Sequence, residues 1–135
     1  MTPDGLAITH AAAFDGAGWP AADFAAYLDD PAVLVHGTDL SFVVLRLAGP
    51  EAEVLTLASH PDHQGQGHAT ATFKNALRIL TEHSVQEVFL DVADDNAPAL
   101  ALYARCGFTA FSRRRNYYKN GATAICMKVK LSHAP

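Results

Sequence analysis

Val54-Leu55-Thr56-Leu57-Ala58-Ser59-His60-Pro61-Asp62-His63-Gln64-Gly65-Gln66-Gly67-His68-Ala69 is the stretch that decides the fold. Val54, Leu55, Leu57 and Ala58 form a short apolar run that reads as a buried strand, and Pro61-Asp62 punctuates its end. From Ala69 onward apolar residues return at Phe73, Ala76, Leu77 and Leu80, while Lys74, Arg78 and Glu82 fall between them. That spacing predicts a helix from about Gln66 to His83 with one face on a sheet. The unit is strand, glycine loop, helix, and the helix starts inside the loop.

The first amides of a helix have no intrahelical acceptor, and with the macrodipole they favour an anion. Gly65 and Gly67 permit positive φ and close approach of backbone to ligand. The loop carries no Lys or Arg, so an anion there is expected to rest on N–H groups, each such bond to a charge being worth roughly 1.5–3 kcal/mol. A P-loop requires Gly-Lys-Ser/Thr at the helix start, and Gly67 is followed by His68-Ala69. A dinucleotide fingerprint requires its glycines directly after the strand, whereas His60 to Gln64 intervene, and Thr70 stands where a third small residue belongs.

Gln64-Gly65-Gln66-Gly67-His68-Ala69 resembles the Gln/Arg-x-x-Gly-x-Gly/Ala signature of the GNAT family of N-acetyltransferases, whose loop binds the pyrophosphate of acetyl-CoA. Leu90-Asp91-Val92, Asn96, Ala101-Leu102-Tyr103, Gly107-Phe108 and Arg114-Arg115-Asn116-Tyr117-Tyr118 are similar to the subfamily that acetylates the N-terminal alanine of a ribosomal protein. The likeness covers about residues 51–130, with a weaker echo upstream. It implies an α/β (α+β) fold: a mixed, mostly antiparallel sheet flanked by helices, with the N-terminal first strand short or missing.

Read in order, Gly5–Phe14 is an Ala-rich helix with Thr2 or Asp4 as cap, broken by Gly16-Ala17-Gly18. Pro20–Leu28 is a second helix, ended by Asp29-Asp30-Pro31. In the resembled subfamily such a helix pair covers the acceptor site, and Trp19, in the loop between the two helices, is a candidate for lining the acceptor groove, a packed aromatic being the commoner outcome at such a place. Ala32–His36, Ser41–Ala48 and Val54–Ser59 form an antiparallel meander with turns at Gly37-Thr38-Asp39 and Gly49-Pro50. Glu87–Val92 is a further buried strand, parallel to Val54–Ser59 through a right-handed crossover. Asp95-Asn96-Ala97-Pro98 opens a helix that Gly107 closes. Phe108–Arg115 and Thr123–Val129 pair as a terminal hairpin around Asn120-Gly121.

The chain of 135 residues fits one domain, 1–135, with a net charge of −4 that argues against a general nucleic-acid binder. No apolar run is long enough for a transmembrane span and no secretory signal follows Met1, so a cytoplasmic protein is expected, with Cys106 and Cys126 as reduced, roleless thiols. Of the acidic clusters, the one at Asp91, Asp94 and Asp95 matters most, because an amine acceptor is cationic at neutral pH. Arg113, Arg114, Arg115 and Lys119 form the basic patch.

The resemblance implies the roles. Tyr103 matches the general acid beside the thioester sulfur, and Asp91 stands where the subfamily carries a Glu as base. One methylene shorter, Asp91 is expected to act through a water, the alternative being that another group serves as base. Leu57, Ala58 and Ser59 match backbone contacts to the pantetheine arm, Gly65, Gln66, Gly67, His68, Ala69 and Thr70 the pyrophosphate loop, and Asn96 a contact to the arm. Arg114–Tyr118 would flank the acceptor entrance. Of the seven histidines, His10, His36, His60, His63, His68, His83 and His133, only His60, His63 and His68 cluster, and no metal is expected. The implied activity is acetyl transfer from acetyl-CoA, as co-substrate, to a protein or peptide N-terminus by direct attack. A small-amine acceptor and a non-catalytic acyl-CoA-binding module are the alternatives. No nucleic acid or membrane partner is expected, and a homodimer is left open.

Overall fold

The computed structural model describes residues 1–131, so His133 and the last residues of the expected domain lie outside the described residues. The elements are α1 (Pro3–Ala13), α2 (Ala21–Asp29), β1 (Val33–Thr38), β2 (Ser41–Ala48), β3 (Glu51–Ser59), α3 (His68–Glu82), β4 (Glu87–Ala93), α4 (Ala97–Arg105), β5 (Thr109–Arg114) and β6 (Ala124–Lys130). Thr2 caps α1, its Oγ1 accepting from the Gly5 amide at 3.0 Å, with Pro3 at the position where a missing N–H costs least. Among the described residues no strand precedes α1.

The six strands form one sheet in the order β1-β2-β3-β4-β6-β5. All neighbours are antiparallel except β3 and β4, joined in parallel through α3. Several boundaries differ from the sequence expectation for local reasons. β1 runs on through Thr38, leaving Asp39-Leu40 as the turn, because Gly37 and Thr38 still pair with Phe42 and Ser41. β3 begins at Glu51, where Glu51 and Glu53 face outward and Ala52 and Val54 inward, an alternation the apolar run alone does not reveal. α3 begins at His68 because Gly67 stands in the left-handed region at φ +80°.

Alternation along the strands builds two cores, one on each face. Val43, Leu45, Val54, Val88, Leu90, Val92, Ile125 and Met127 face α3 and α4, packing on Phe73, Ala76, Leu80, Leu102 and Phe108. Phe42, Val44 and Ala58 face the other way, against Leu6 of α1 and Phe24 of α2. The second core lies under β1, β2 and β3 only. On that side Phe89 is half-buried and Asp91 exposed, so β4, β6 and β5 carry an open face.

Candidate active site

β3 and β4 pair only from Glu51 with Glu87 to Glu53 with Phe89, and then diverge. Just beyond, β3 carries a bulge: Val44 pairs with Thr56 but Leu45 with Val54, leaving Leu55 extra. A bulge bends a strand and sharpens its twist, which turns the end of β3 away from β4. The backbone of Leu57, Ala58 and Ser59 therefore borders a gap instead of a neighbouring strand.

A cleft of about 660 Å³ occupies this gap, running from Phe14 and Leu57–Ser59 past His63-Gln64 to the glycine loop and the start of α4. Leu57, Ala58, Ser59, Gly65, Gly67, His68, Ala69, Thr70 and Asn96 all line it. Gln66 does not. Its side chain turns back, Oε1 accepting from His68 Nε2 at 3.1 Å.

Gly65 and Gly67 both sit at positive φ, +77° and +80°. The first bond into α3 is Ala71 N–H to Gly67 O at 3.0 Å, so the amides from His68 to Thr70 have no intrahelical acceptor. Gln64 fixes the loop's entry by donating from Nε2 to Ser59 O at 3.0 Å. The sequence expectation of a site without basic side chains is corrected by Arg105, at the last turn of α4, whose Nη2 donates to Thr70 Oγ1 at 3.4 Å. The cation arrives from 35 residues along the chain, beyond any local pattern. Asn96 caps α4, its Oδ1 accepting from Ala99 N at 3.3 Å.

Neither Tyr103 nor Asp91 lines this cleft, against the expectation that both converge on it with the loop. Tyr103 is 7 % exposed, its ring 5.4 Å from Phe73 and 5.8 Å from Phe108 inside the first core. Burial, helped by Cys106 and Tyr118, pushes its phenol up to about 12. Asp91 stands on the opposite, open face, opposite Cys126 in the β4–β6 register. Tyr118 joins the two electrostatically: burial and then the Asp91 charge raise its pKa, and it in turn raises that of Tyr103. Cys126 is likewise raised, by burial and then by the Asp91 carboxylate. The neighbouring acids are engaged elsewhere. Asp94 Oδ1 accepts from Thr123 N at 3.2 Å and Asp95 Oδ2 from Asn120 Nδ2 at 3.4 Å, tying the loop before α4 to the β5–β6 loop.

On the α1 side, Trp19 packs into the second core instead of lining the cleft, 4.7 Å from His10 and 5.9 Å from Tyr27. Its amide donates to His10 Nδ1 at 2.9 Å, which assigns the proton to Nε2, and Nε2–H donates to Thr56 Oγ1 at 2.9 Å. Burial holds the His10 pKa below its ordinary value. This buried imidazole, 3 % exposed, ties α1 and the loop before α2 to the bulged part of β3. In the loop, the His63 and His68 rings meet edge-on at 5.6 Å, and no group of three His, Cys, Asp or Glu is gathered to hold a metal among the described residues. No helix among them is long and apolar enough to cross a membrane.

A sequence profile of the acetyltransferase (GNAT) family matches residues 12–108. The ribosomal protein bS18-alanine N-acetyltransferase of Escherichia coli is 34 % identical over 83 residues, 62 % of this chain and 56 % of that one. A mycothiol acetyltransferase of Clavibacter michiganensis is 39 % identical over 84 residues, 58 % of this chain and 28 % of its own length. The chain thus matches little more than half, or less, of these curated relatives. The crystal structure of the ribosomal-protein-alanine N-acetyltransferase from Escherichia coli superposes with a TM-score of 0.86 at 27 % identity, covering 98 % of this chain and 90 % of that one.

Proposed function

The chain belongs to the GNAT acetyltransferase family, and from that premise we propose that residues 1–135, as a single domain, move an acetyl group from acetyl-CoA to the N-terminal amine of a protein or peptide. The observation that carries this is the set of amides at His68–Thr70 with no intrahelical acceptor, beside Gly65 and Gly67 at one end of a cleft that opens between diverging strands. Acetyl-CoA fits that shape. A diphosphate suits the amides of the α3 N-terminus, Arg105 supplies a cation for phosphate, and the amide-bearing arm suits the unpaired edge of Leu57–Ser59.

Asp91 is assigned the proton of the attacking ammonium, directly or through one water. Tyr103 is assigned the proton returned to the departing thiolate, and a phenol held near 12 is protonated throughout the neutral range. The N–C bond forms as the C–S bond breaks, the second proton of the amine nitrogen passes to solvent, and solvent exchange resets both side chains. Tyr118 lies within electrostatic reach of both side chains. Two free thiols suit a reducing cytoplasm. The likeness to a mycothiol acetyltransferase makes a small-molecule amine the second reading.

The test is thiol release from acetyl-CoA with panels of N-terminal peptides and small amines. Turnover on peptides that falls by about 10²–10⁴-fold in Tyr103→Phe, with melting temperature retained, supports the proposal. Turnover on small amines alone favours the second reading. CoA binding with no turnover on either panel overturns both and leaves an acyl-CoA-binding module.

A further inference from the structure

Resting on the reading of a peptide acceptor, we propose that the open face of β4, β6 and β5 reads the acceptor's third residue and favours glutamate there. The face is ordered in rows across the strands. Asp91 lies opposite Cys126, and Cys126 opposite Ser112; one step down, Phe89 lies opposite Lys128, and Lys128 opposite Thr109. The register shift between Ala110 and Ser112 makes Phe111 the extra residue and puts it on this face, 52 % exposed, beside Lys128. Phe89 meets Phe111 edge-on at 6.1 Å, and Lys128 Nζ lies 5.2 Å above the Phe111 ring. The result is an aromatic floor with an ammonium at its rim, on the same face as Asp91.

Its position sets the register. Two residues of strand separate the rows, about 7 Å at roughly 3.3–3.4 Å per residue, and an extended acceptor covers the same distance in two residues. With its amine at Asp91, the acceptor's third side chain points back to the sheet as the first does, above Phe111 and Lys128. Two of the other sides are occupied. α1 and its His10–Thr56 tie stand over β3, and the Asp94–Thr123 and Asp95–Asn120 ties close the top of β4.

Charge selects the residue. Among the described residues no carboxylate lies within salt-bridge distance of Lys128, Lys130 or Arg114. Apart from Asp91, which takes the acceptor's amine, the acids of this face, Glu51, Glu53 and Glu87, sit on β3 and at the start of β4, across Phe89, while the Lys128 ammonium leans the opposite way over β5. A glutamate lays its two methylenes on Phe111 and brings its carboxylate to Lys128. A lysine in that place meets like charge.

The experiment compares kcat/KM, with saturating acetyl-CoA and the full chain, for two peptides identical except for glutamate or lysine at the third position. The wild type is expected to favour glutamate by about 2- to 30-fold, the range for one exposed attraction plus one repulsion, and Lys128→Glu to reverse the order. Phe111→Ser, with the charge retained, is expected to shrink the preference without reversing it. Equal rates on the two peptides, or a preference that survives Lys128→Glu in a folded variant, overturns the inference while peptide acetylation stands. A wild type that acetylates neither peptide nor any other N-terminal peptide overturns the function reading and this inference with it.

Discussion

Replacing Gly67 by alanine tests whether left-handed backbone is what presents the loop amides. Gly67 caps α3 at φ +80°, and a Cβ added there meets nothing within 4 Å, so the substitution brings no clash and its whole effect is conformational. Holding an L-residue in that region costs about 1–2 kcal/mol. The residue is exposed, so the free loop is at liberty to relax to negative φ, and the cost returns only when a ligand requires the original shape. Expressed as affinity, 1–2 kcal/mol is about a 5- to 30-fold rise in the Kd for CoA, read by calorimetry, with little change in the Tm of the free protein. Gly49→Ala is the control. Gly49 has φ +61° with equally open space, but it sits in the turn between the paired residues Ala48 and Glu51, remote from the cleft. Its strain cannot relax without opening the hairpin, so it lowers Tm by about 2–5 °C, part being offset by a stiffer unfolded chain, and leaves the Kd unchanged. An unchanged Kd in Gly67→Ala refutes the reasoning, since the loop would then keep its shape under strain or bind without it.

Three other outcomes follow from the described geometry. Arg105→Gln weakens CoA binding by about 3- to 10-fold at low salt, and the difference shrinks as ionic strength rises, because the guanidinium is exposed and screened; titrations at two salt concentrations read it. His10 is neutral when folded and its pKa is depressed, so the unfolded chain binds more protons below the ordinary value near 6.5. Its contribution is therefore complete above that pH and is lost as pH falls toward the folded value; Tm against pH is steeper for the wild type over that window than for His10→Gln, which itself loses about 1–3 kcal/mol by breaking both bonds. Phe73→Ala removes the ring between Tyr103 and Phe108 and costs about 3–5 kcal/mol in denaturant unfolding.

What the sequence made legible was local. The Phe73-Ala76-Leu80 spacing, the Asn96 cap, the close of α4 at Gly107 and the meander from β1 to β3 each depend on residues within a turn or a hairpin of one another, and each is present, the meander with its first turn and the start of β3 displaced. The parallel pairing of β3 with β4 followed from a handedness rule and holds for three residue pairs before the strands part. What escaped depends on the third dimension. Arg105 reaches Thr70 only because α3 and α4 lie side by side on one face of the sheet. Phe14 enters the cleft because α1 ends above it, and nothing in an Ala-rich helix signals that its last aromatic is not core. The extra residues Leu55 and Phe111 sit in ordinary strand patterns, and a bulge leaves no trace until the partner strand fixes the register. Tyr103 shows the limit most clearly: a motif position named for its hydroxyl, while packing against Phe73 and Phe108 decides where the ring goes.

The pairing of Trp19 with His10 has one more use. Trp19 is the sole tryptophan of the chain, and it belongs to the layer that α1 and α2 lay over β1–β3. Indole emission consequently reports on that layer alone, while far-ultraviolet dichroism is dominated by the whole backbone. Protonation of the neighbouring imidazole is expected to quench the indole, so an optical titration follows the His10 ties of this layer without any added label.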